Sequence, residues 1–297
     1  MNVFTHISEW NLPLPEIPSM PLADRLLMVN PAFFDVAYVI NPHMEGQIGK
    51  VNRQKANNEW QKLVDLYRSL GLSVEVINGE QGLPDMVFCA NQTLPFIRPN
   101  GEKGVFCAQM HAPERKPEVA FFKAYFARKG YQVRTLPSDN DSDFEGMGDA
   151  LWHSGRRLLW GGYGFRTGLE VYKGLAQALD VPVLALELCD PEFYHLDTCM
   201  CILDESCVLV YPGAFQPQGL ALIRKVFSRV IEAPEDEARR LFAVNAFCPN
   251  QKHVFIQNGC SETAMRLQLA GFMVISCETG EFIKAGGSVF CMKLHHW

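Results

Sequence analysis

The chain has 297 residues and carries 27 Lys and Arg against 33 Asp and Glu, a formal net charge of −6 that argues against nucleic acid as a partner. Hydrophobic residues at 48% and charged residues at 20% make an ordinary globular mixture and exclude a disordered tail or a coiled coil. A chain of this length buries about three-quarters of its unfolded surface, so neither metal nor disulfide is needed to hold it together.

Residues 1–24 hold a cluster of prolines, Pro13, Pro15, Pro18 and Pro21, without periodic apolar spacing, and read as an extended arm over the surface. Met1 to Trp10 shows no basic run followed by an apolar stretch, so no secretory signal is expected. The pattern becomes regular from Arg25, with a strand Leu26–Val29, a loop rich in Asn and Pro, and a helix from about Asn52 to Leu70. In that helix Ala56, Trp60, Leu63, Val64, Tyr67 and Leu70 recur at helical spacing, and Gly71 supplies the stop. Strands are predicted at Leu72–Ile77, Met86–Cys89 and Gly104–Ala108, then a helix Glu118–Lys129 ending at Gly130 and a strand Tyr131–Leu136. The succession of helix and strand recurs as Leu169–Leu179 before Pro182–Leu188, Leu220–Phe227 before Val230–Ala233, and Glu262–Ala270 before Phe272–Cys277. Short strand pairs with polar turns intervene at Leu151–Trp160 and Met200–Val210.

No linker divides these modules, so residues 25–297 are expected to form one mixed α/β domain of similar units. The most apolar stretch, Leu26 to Ile40, is broken by Asn30, Pro31 and Asp35 and falls short of the about 18 apolar residues of a membrane span. No GxGxxG follows the first strand, and Gly161-Gly162-Tyr163-Gly164 does not match the phosphate-binding pattern, so no nucleotide cofactor is expected. The ten cysteines are scattered without a CxxC pair, which fits reduced thiols in a cytoplasm rather than a zinc or redox centre. Cys199 and Cys201 read as core packing. The terminal His295-His296 pair points in two directions from a frayed end, and no metal is assigned to it.

Four polar clusters interrupt apolar segments: Pro84 to Asn91, Phe144 to Asp149, His195 to Thr198, and Ala285 to Cys291. Each has an ordinary explanation as a turn, a strand start or a satisfied core histidine. Together they supply a thiol, an imidazole and carboxylates, the parts of nucleophilic catalysis on a cationic carbon. Gly286 and Gly287 before Ser288 let backbone approach a ligand closely and leave Cys291 on a strand edge, which singles it out among the cysteines.

At these residues the sequence resembles the guanidino-group modifying (pentein) family, which includes arginine deiminases, dimethylarginine dimethylaminohydrolases, amidinotransferases and arginine dihydrolases. The motifs PDMVFCAN, FEGMGDAL, WGGYGFR, FYHLDTC and KAGGSVFC stand in the family's order, and the likeness runs from about Leu26 to Leu294. The resemblance implies a five-bladed α/β propeller of repeated strand and helix modules. It makes Cys291 the nucleophile and His195 the general acid and base, with Glu145 in the same catalytic group. Asn41 and Asn91 would line the substrate pocket, Arg115 and Arg166 would hold a substrate carboxylate, and Ala285 would contribute backbone. Asp85 and Asp149 match motif acids that contact the guanidinium or support those that do.

A guanidinium carbon is a poor electrophile because its charge is delocalised, so carboxylates must fix its nitrogens while a thiolate attacks. The family chemistry calls for no metal and no cofactor; the expected partners are a small-molecule substrate and, in a homo-oligomer, further copies of the chain. Asn91 stands where deiminases and dimethylarginine hydrolases place an acid, and the arginine dihydrolases resemble this chain in having Asn there. An amide both donates and accepts, so it holds a neutral ureide as well as a cation. The leading expectation is therefore an arginine dihydrolase giving ornithine, ammonia and carbon dioxide. Dimethylarginine hydrolase, arginine deiminase, amidinotransferase and an inactive arginine-binding or scaffold member are the alternatives.

Overall fold

The computed structural model describes residues 3–136 and 142–297. Its strands fall into five separate sheets, and the modules repeat one plan: an antiparallel pair, a helix, and a third strand returning parallel to the second. The arm contributes β1 (Val3–Phe4). The first module contains β2 (Arg25–Val29), α1 (Arg53–Ser69) and β3 (Ser73–Ile77), with β3 parallel to β2. The second is β4 (Thr93–Ile97), β5 (Lys103–Cys107), α2 (Glu118–Arg128) and β6 (Gln132–Arg134). The third opens with the one-turn helix α3 (Gly146–Asp149), then β7 (Ala150–Trp152), β8 (Leu159–Tyr163), α4 (Leu169–Leu179) and β9 (Val183–Glu187). β1 adds to this sheet by pairing in parallel with β9, so the arm is anchored at its start.

The fourth module repeats the plan with the one-turn α5 (Leu196–Cys199), β10 (Met200–Ile202), β11 (Cys207–Val210), α6 (Pro217–Val226) and β12 (Arg229–Glu232). After α7 (Glu235–Leu241), the fifth is a two-stranded sheet of β13 (His253–Gln257) and β14 (Met273–Cys277) joined through α8 (Ser261–Leu269). A short α9 (Gly280–Ile283) leads to β15 (Leu294–His296), which pairs antiparallel with β2 and so completes the first sheet from the far end of the sequence.

Local chemistry explains these elements. In α1 the Asn52 side chain accepts the Lys55 amide at 3.0 Å as an N-cap, and the face of Ala56, Trp60, Leu63, Val64 and Tyr67 is buried. Gly71 takes φ +84 beyond its C-terminus, a conformation that costs glycine least. β9 and β11 are buried along nearly their whole length, which is why they read as continuous Val and Leu runs. The buried side chains form one large connected core plus a small cluster of Met20, Ala23 and Trp297. Among the described residues no helix is long and apolar enough to cross a membrane.

Several expectations need correction. Residues 86–89 are not a strand: Pro84–Val87 is a 3₁₀ turn, started by a proline at its first position. The strand lies further on, at β4, where Pro95 hid it; among the described residues β4 pairs only with β5, and an edge strand tolerates a residue without an N–H. Cys291 sits in a turn three residues before β15, not on a strand edge. The C-terminal pair is not frayed: His295 and His296 lie opposite Leu26 and Arg25 in β2, and His295 Nε2 bonds the Ala23 carbonyl at 2.8 Å. All ten cysteines are free.

Candidate active site

Two residues that open one-turn helices meet across modules. Glu145 precedes α3 and His195 precedes α5, and Glu145 Oε2 lies 2.6 Å from His195 Nε2 with both side chains buried. The other Glu145 oxygen accepts the His111 amide at 3.0 Å and Arg166 Nη1 at 3.4 Å. Burial would raise this carboxyl, but the hydrogen bond and charge of His195, with Arg166 and Arg115 behind them, hold it down at about 2. His195 therefore presents its remaining nitrogen, Nδ1, toward Asn91 Nδ2 at 3.4 Å. The contact demands a glycine beside it, because a Cβ at Gly148 would come within 2.3 Å of Asn91 Nδ2.

Asp149, which ends α3, does not reach the cavity. It accepts Thr167 Oγ1 at 2.7 Å and the Leu196 amide at 3.0 Å, and thereby fixes the start of α5 just after His195. Burial pushes its carboxyl up to about 6. Gly162 leaves the room for this arrangement, since a Cβ there would lie 2.8 Å from Leu196 and 3.1 Å from Asp149.

Cys291 is held by two residues that the sequence reading did not assign. Its Sγ lies 3.2 Å from Asp197 Oδ2, and Asn245 Nδ2 donates to Sγ at 3.1 Å. Asn245 also donates to the Asp197 carbonyl at 3.0 Å, while its Oδ1 accepts the amides of Ser288 at 3.0 Å and Cys291 at 3.3 Å. One buried amide thus ties the cysteine turn to the segment carrying Asp197. Burial, and then the neighbouring Asp197 carboxyl, push the Cys291 thiol up; burial likewise lifts Asp197 to about 7. Asp197 stood inside the FYHLDTC motif, two residues beyond His195, and was the available signal. Asn245 belongs to no motif.

The remaining predicted residues converge on a cavity of about 290 Å³ lined by Asn41, Asp85, Asn91, Arg115, Arg166, Tyr194, His195, Ala285, Gly286 and Cys291, among others. Arg115 is buried and forked onto Glu118 through Nε and Nη2, with Nη1 donating to Asn91 Oδ1 at 3.0 Å. Burial opposes its charge, but Glu118 and Asp85 outweigh that and keep it protonated. Arg166 bonds the Ile40 carbonyl and lies 4.9 Å over the Tyr194 ring. Asn41 donates to the Ala285 carbonyl at 3.1 Å, so Ala285 takes part through backbone alone. The turn at Gly286, φ +85, brings backbone against Asn41 and Tyr194, where a Cβ would come within 2.9 Å of both side chains. Asp85 faces the cavity almost wholly buried, neither oxygen in a hydrogen bond of normal geometry, and burial raises its carboxyl. A larger hollow of about 670 Å³, between the arm and Trp152, Phe247 and Trp297, contains none of these residues.

Across residues 39–297 the chain matches the family model described as N,N dimethylarginine dimethylhydrolase, eukaryotic, and it belongs to that family. It is 40% identical over 273 residues to the bifunctional arginine dihydrolase/ornithine cyclodeaminase AgrE of Nostoc sp., covering 91% of this chain but only 37% of that protein. It is 36% identical to the N(G),N(G)-dimethylarginine dimethylaminohydrolase of Mycobacterium tuberculosis, covering 92% of this chain and 86% of that one. Among solved structures, the substrate-bound N-terminal domain of ArgZ, an arginine dihydrolase from cyanobacteria, superposes with a TM-score of 0.85 at 37% identity, covering 91% and 97% of the two chains.

Proposed function

We propose that the protein hydrolyses the guanidino group of free L-arginine to ornithine, two ammonia and carbon dioxide through a covalent adduct on Cys291. The observation that carries this reading is the meeting of Cys291, His195, Asn91, Asp85 and two arginines around one small cavity. The likeness to arginine dihydrolase domains supports it, with the chain spanning 37% of the length of the bifunctional relatives.

In this reading Asp85, whose buried oxygens lack partners, receives the guanidinium. Arg166 and Arg115 face the substrate carboxylate. The arriving cation offsets the negative charge of Asp197 and lowers the cost of a Cys291 thiolate, which then attacks the guanidinium carbon. His195, with Nε2–H donated to Glu145, works through Nδ1: it delivers a proton to the departing ammonia and takes one from the water that cleaves the thiouronium adduct. Citrulline and one ammonia result. Asn91 then retains the neutral ureide for a second attack, and a second water releases ornithine, ammonia and carbon dioxide.

The same reading takes residues 25–297 as one catalytic domain and the five sheets as blades of a propeller around the site, a plan that the repeated modules and the closure of the first sheet by β15 support. Ten unpaired cysteines suit a reducing cytoplasm. Dimethylarginine hydrolysis is the second reading, favoured by the family model and the mycobacterial relative. Purified protein incubated with arginine, citrulline, agmatine and dimethylarginine, with products followed by mass spectrometry, separates the two. Ornithine with two ammonia per arginine is expected; citrulline as sole product from arginine or dimethylarginine overturns the dihydrolase reading, and release of neither ammonia nor dimethylamine from any substrate overturns both.

A further inference from the structure

Lys293 follows the nucleophile by two residues, and its side chain turns inward. It is wholly buried, and Nζ has no hydrogen-bond partner. Two aromatic faces hold it instead: Nζ lies 3.1 Å from the ring centre of Phe290 and 4.3 Å from that of Phe247. A buried ammonium without a hydrogen bond is costly, and cation–π contact recovers only part of the lost hydration. Such an arrangement calls for nearby negative charge. Asp197, Cys89, Cys201 and Cys291 favour the charged form of Lys293, and His295 stands two residues further along. Asp197 touches Cys291 Sγ with one oxygen, and its other oxygen, Oδ1, is also without a partner.

The geometry points to Lys293 as an electrostatic positioning residue for the nucleophile, its ammonium balancing the negative charge that Asp197 and the Cys291 thiolate carry together. This deepens the reading of Cys291 as nucleophile and rests on it. Without substrate, the thiolate must form beside a carboxylate, with the Tyr194 hydroxyl given to the Gly286 carbonyl and the arginines of the cavity already engaged by Glu118, Asn91, Glu145 and backbone. Lys293 is a buried basic group, two residues from Cys291 and stacked on its neighbour Phe290, that no carboxylate has claimed by direct contact. The Cys291 thiolate and the Lys293 ammonium stabilise one another, the thiol proton passing to Lys293 where the amine is neutral and to solvent where it is already charged, so one positive charge offsets Asp197 and the thiolate. Burial drives the Lys293 amine down to about 7, so in the neutral range its charge depends on these neighbours.

The test reads the thiol directly and needs no turnover. The full chain is treated with iodoacetamide across a pH series, and carbamidomethylation of the Cys291 peptide is quantified by mass spectrometry. In Lys293→Met, which keeps shape while removing a charge, the midpoint of alkylation should move up by at least about one pH unit, a tenfold loss of thiolate at fixed pH. Lys293→Arg should restore most of the shift. A purely structural role would instead alter the melting temperature and leave the midpoint in place, and an unshifted midpoint in folded Lys293→Met overturns the proposal. If Cys291 is not the nucleophile, the shift appears while Cys291→Ser keeps its activity, so the two failures are distinct.

Discussion

Glu145 and His195 meet at 2.6 Å although fifty residues apart in sequence, each fixed at the start of a one-turn helix in a different module. The contact assigns the imidazole nitrogens: Nε2 is occupied by the carboxylate, and Nδ1 faces the cavity.

Glu145→Gln should therefore lower kcat by about 100-fold or more, because an amide neither favours the imidazolium nor secures the tautomer. The effect belongs in kcat rather than KM in steady-state ammonia assays. The stability difference has a definite sign. Glu145 titrates at about 2 when folded against 4.5 in the unfolded chain, so its contribution is complete above pH 4.5 and is lost as pH falls toward 2. A shift of that size corresponds to about 3 kcal/mol, so urea melts of wild type and Glu145→Gln should converge on acidification. A gap that widens toward low pH would contradict the assignment.

Asn245 receives two backbone amides and donates to Cys291 and to the Asp197 carbonyl. Asn245→Ala leaves buried donors unsatisfied and should cost about 1–3 kcal/mol of stability by denaturant unfolding, with a loss of Cys291 reactivity beyond that of the fold. Asn245→Asp keeps the acceptor but sets a second anion beside the thiol. Its alkylation profile should move to higher pH; a profile that stays put would mean that Asn245 is only scaffolding.

Asn91 sits between the Arg115 guanidinium, at 3.0 Å from its Oδ1, and His195 Nδ1, at 3.4 Å from its Nδ2. An aspartate preserves the first contact and loses the donor of the second, so Asn91→Asp should release citrulline before the second attack. We expect the ornithine-to-citrulline ratio to drop by about tenfold, the equivalent of one hydrogen bond to the neutral ureide. An unchanged ratio would remove Asn91 from product choice.

Arg166 is the better probe of carboxylate binding, because truncating Arg115 would also strand Glu118, a carboxyl that burial already lifts to about 7 despite Arg115. Arg166→Ala should raise KM for arginine at least tenfold more than for agmatine, which lacks the carboxylate. Equal effects on the two substrates would assign Arg166 to holding Glu145 alone.

The sequence made much of this legible where chemistry and local pattern coincide. Glu145, His195 and Cys291 each interrupt an apolar run in a short motif, and α4 was read to its ends because the apolar face, Val171, Tyr172, Leu175, Ala176 and Leu179, is unbroken. What escaped notice was non-local. Asn245 gains its role only when the segments at 197 and 288–291 are brought together, and no spacing around position 245 reports that. Pro95 argues against the β4 strand unless its edge position is known, and sequence does not tell an acid facing the cavity, Asp85, from one turned onto Thr167 and Leu196, Asp149.

The pairing of β15 with β2 has a consequence for synthesis on the ribosome. Leu294 lies opposite Leu27, so the first sheet to leave the exit tunnel waits for a strand 294 − 27 = 267 residues further along before its third member arrives. The turn carrying Cys291 is drawn in by the same event, since it immediately precedes that strand and joins Ala90 through the Cys291 carbonyl. A nascent chain therefore displays Glu145 and His195 well before it gains a thiol to serve. Cys291 thus joins the cavity only once residues 294–296 are available to pair with β2, so a shorter nascent chain carries the other lining residues without it.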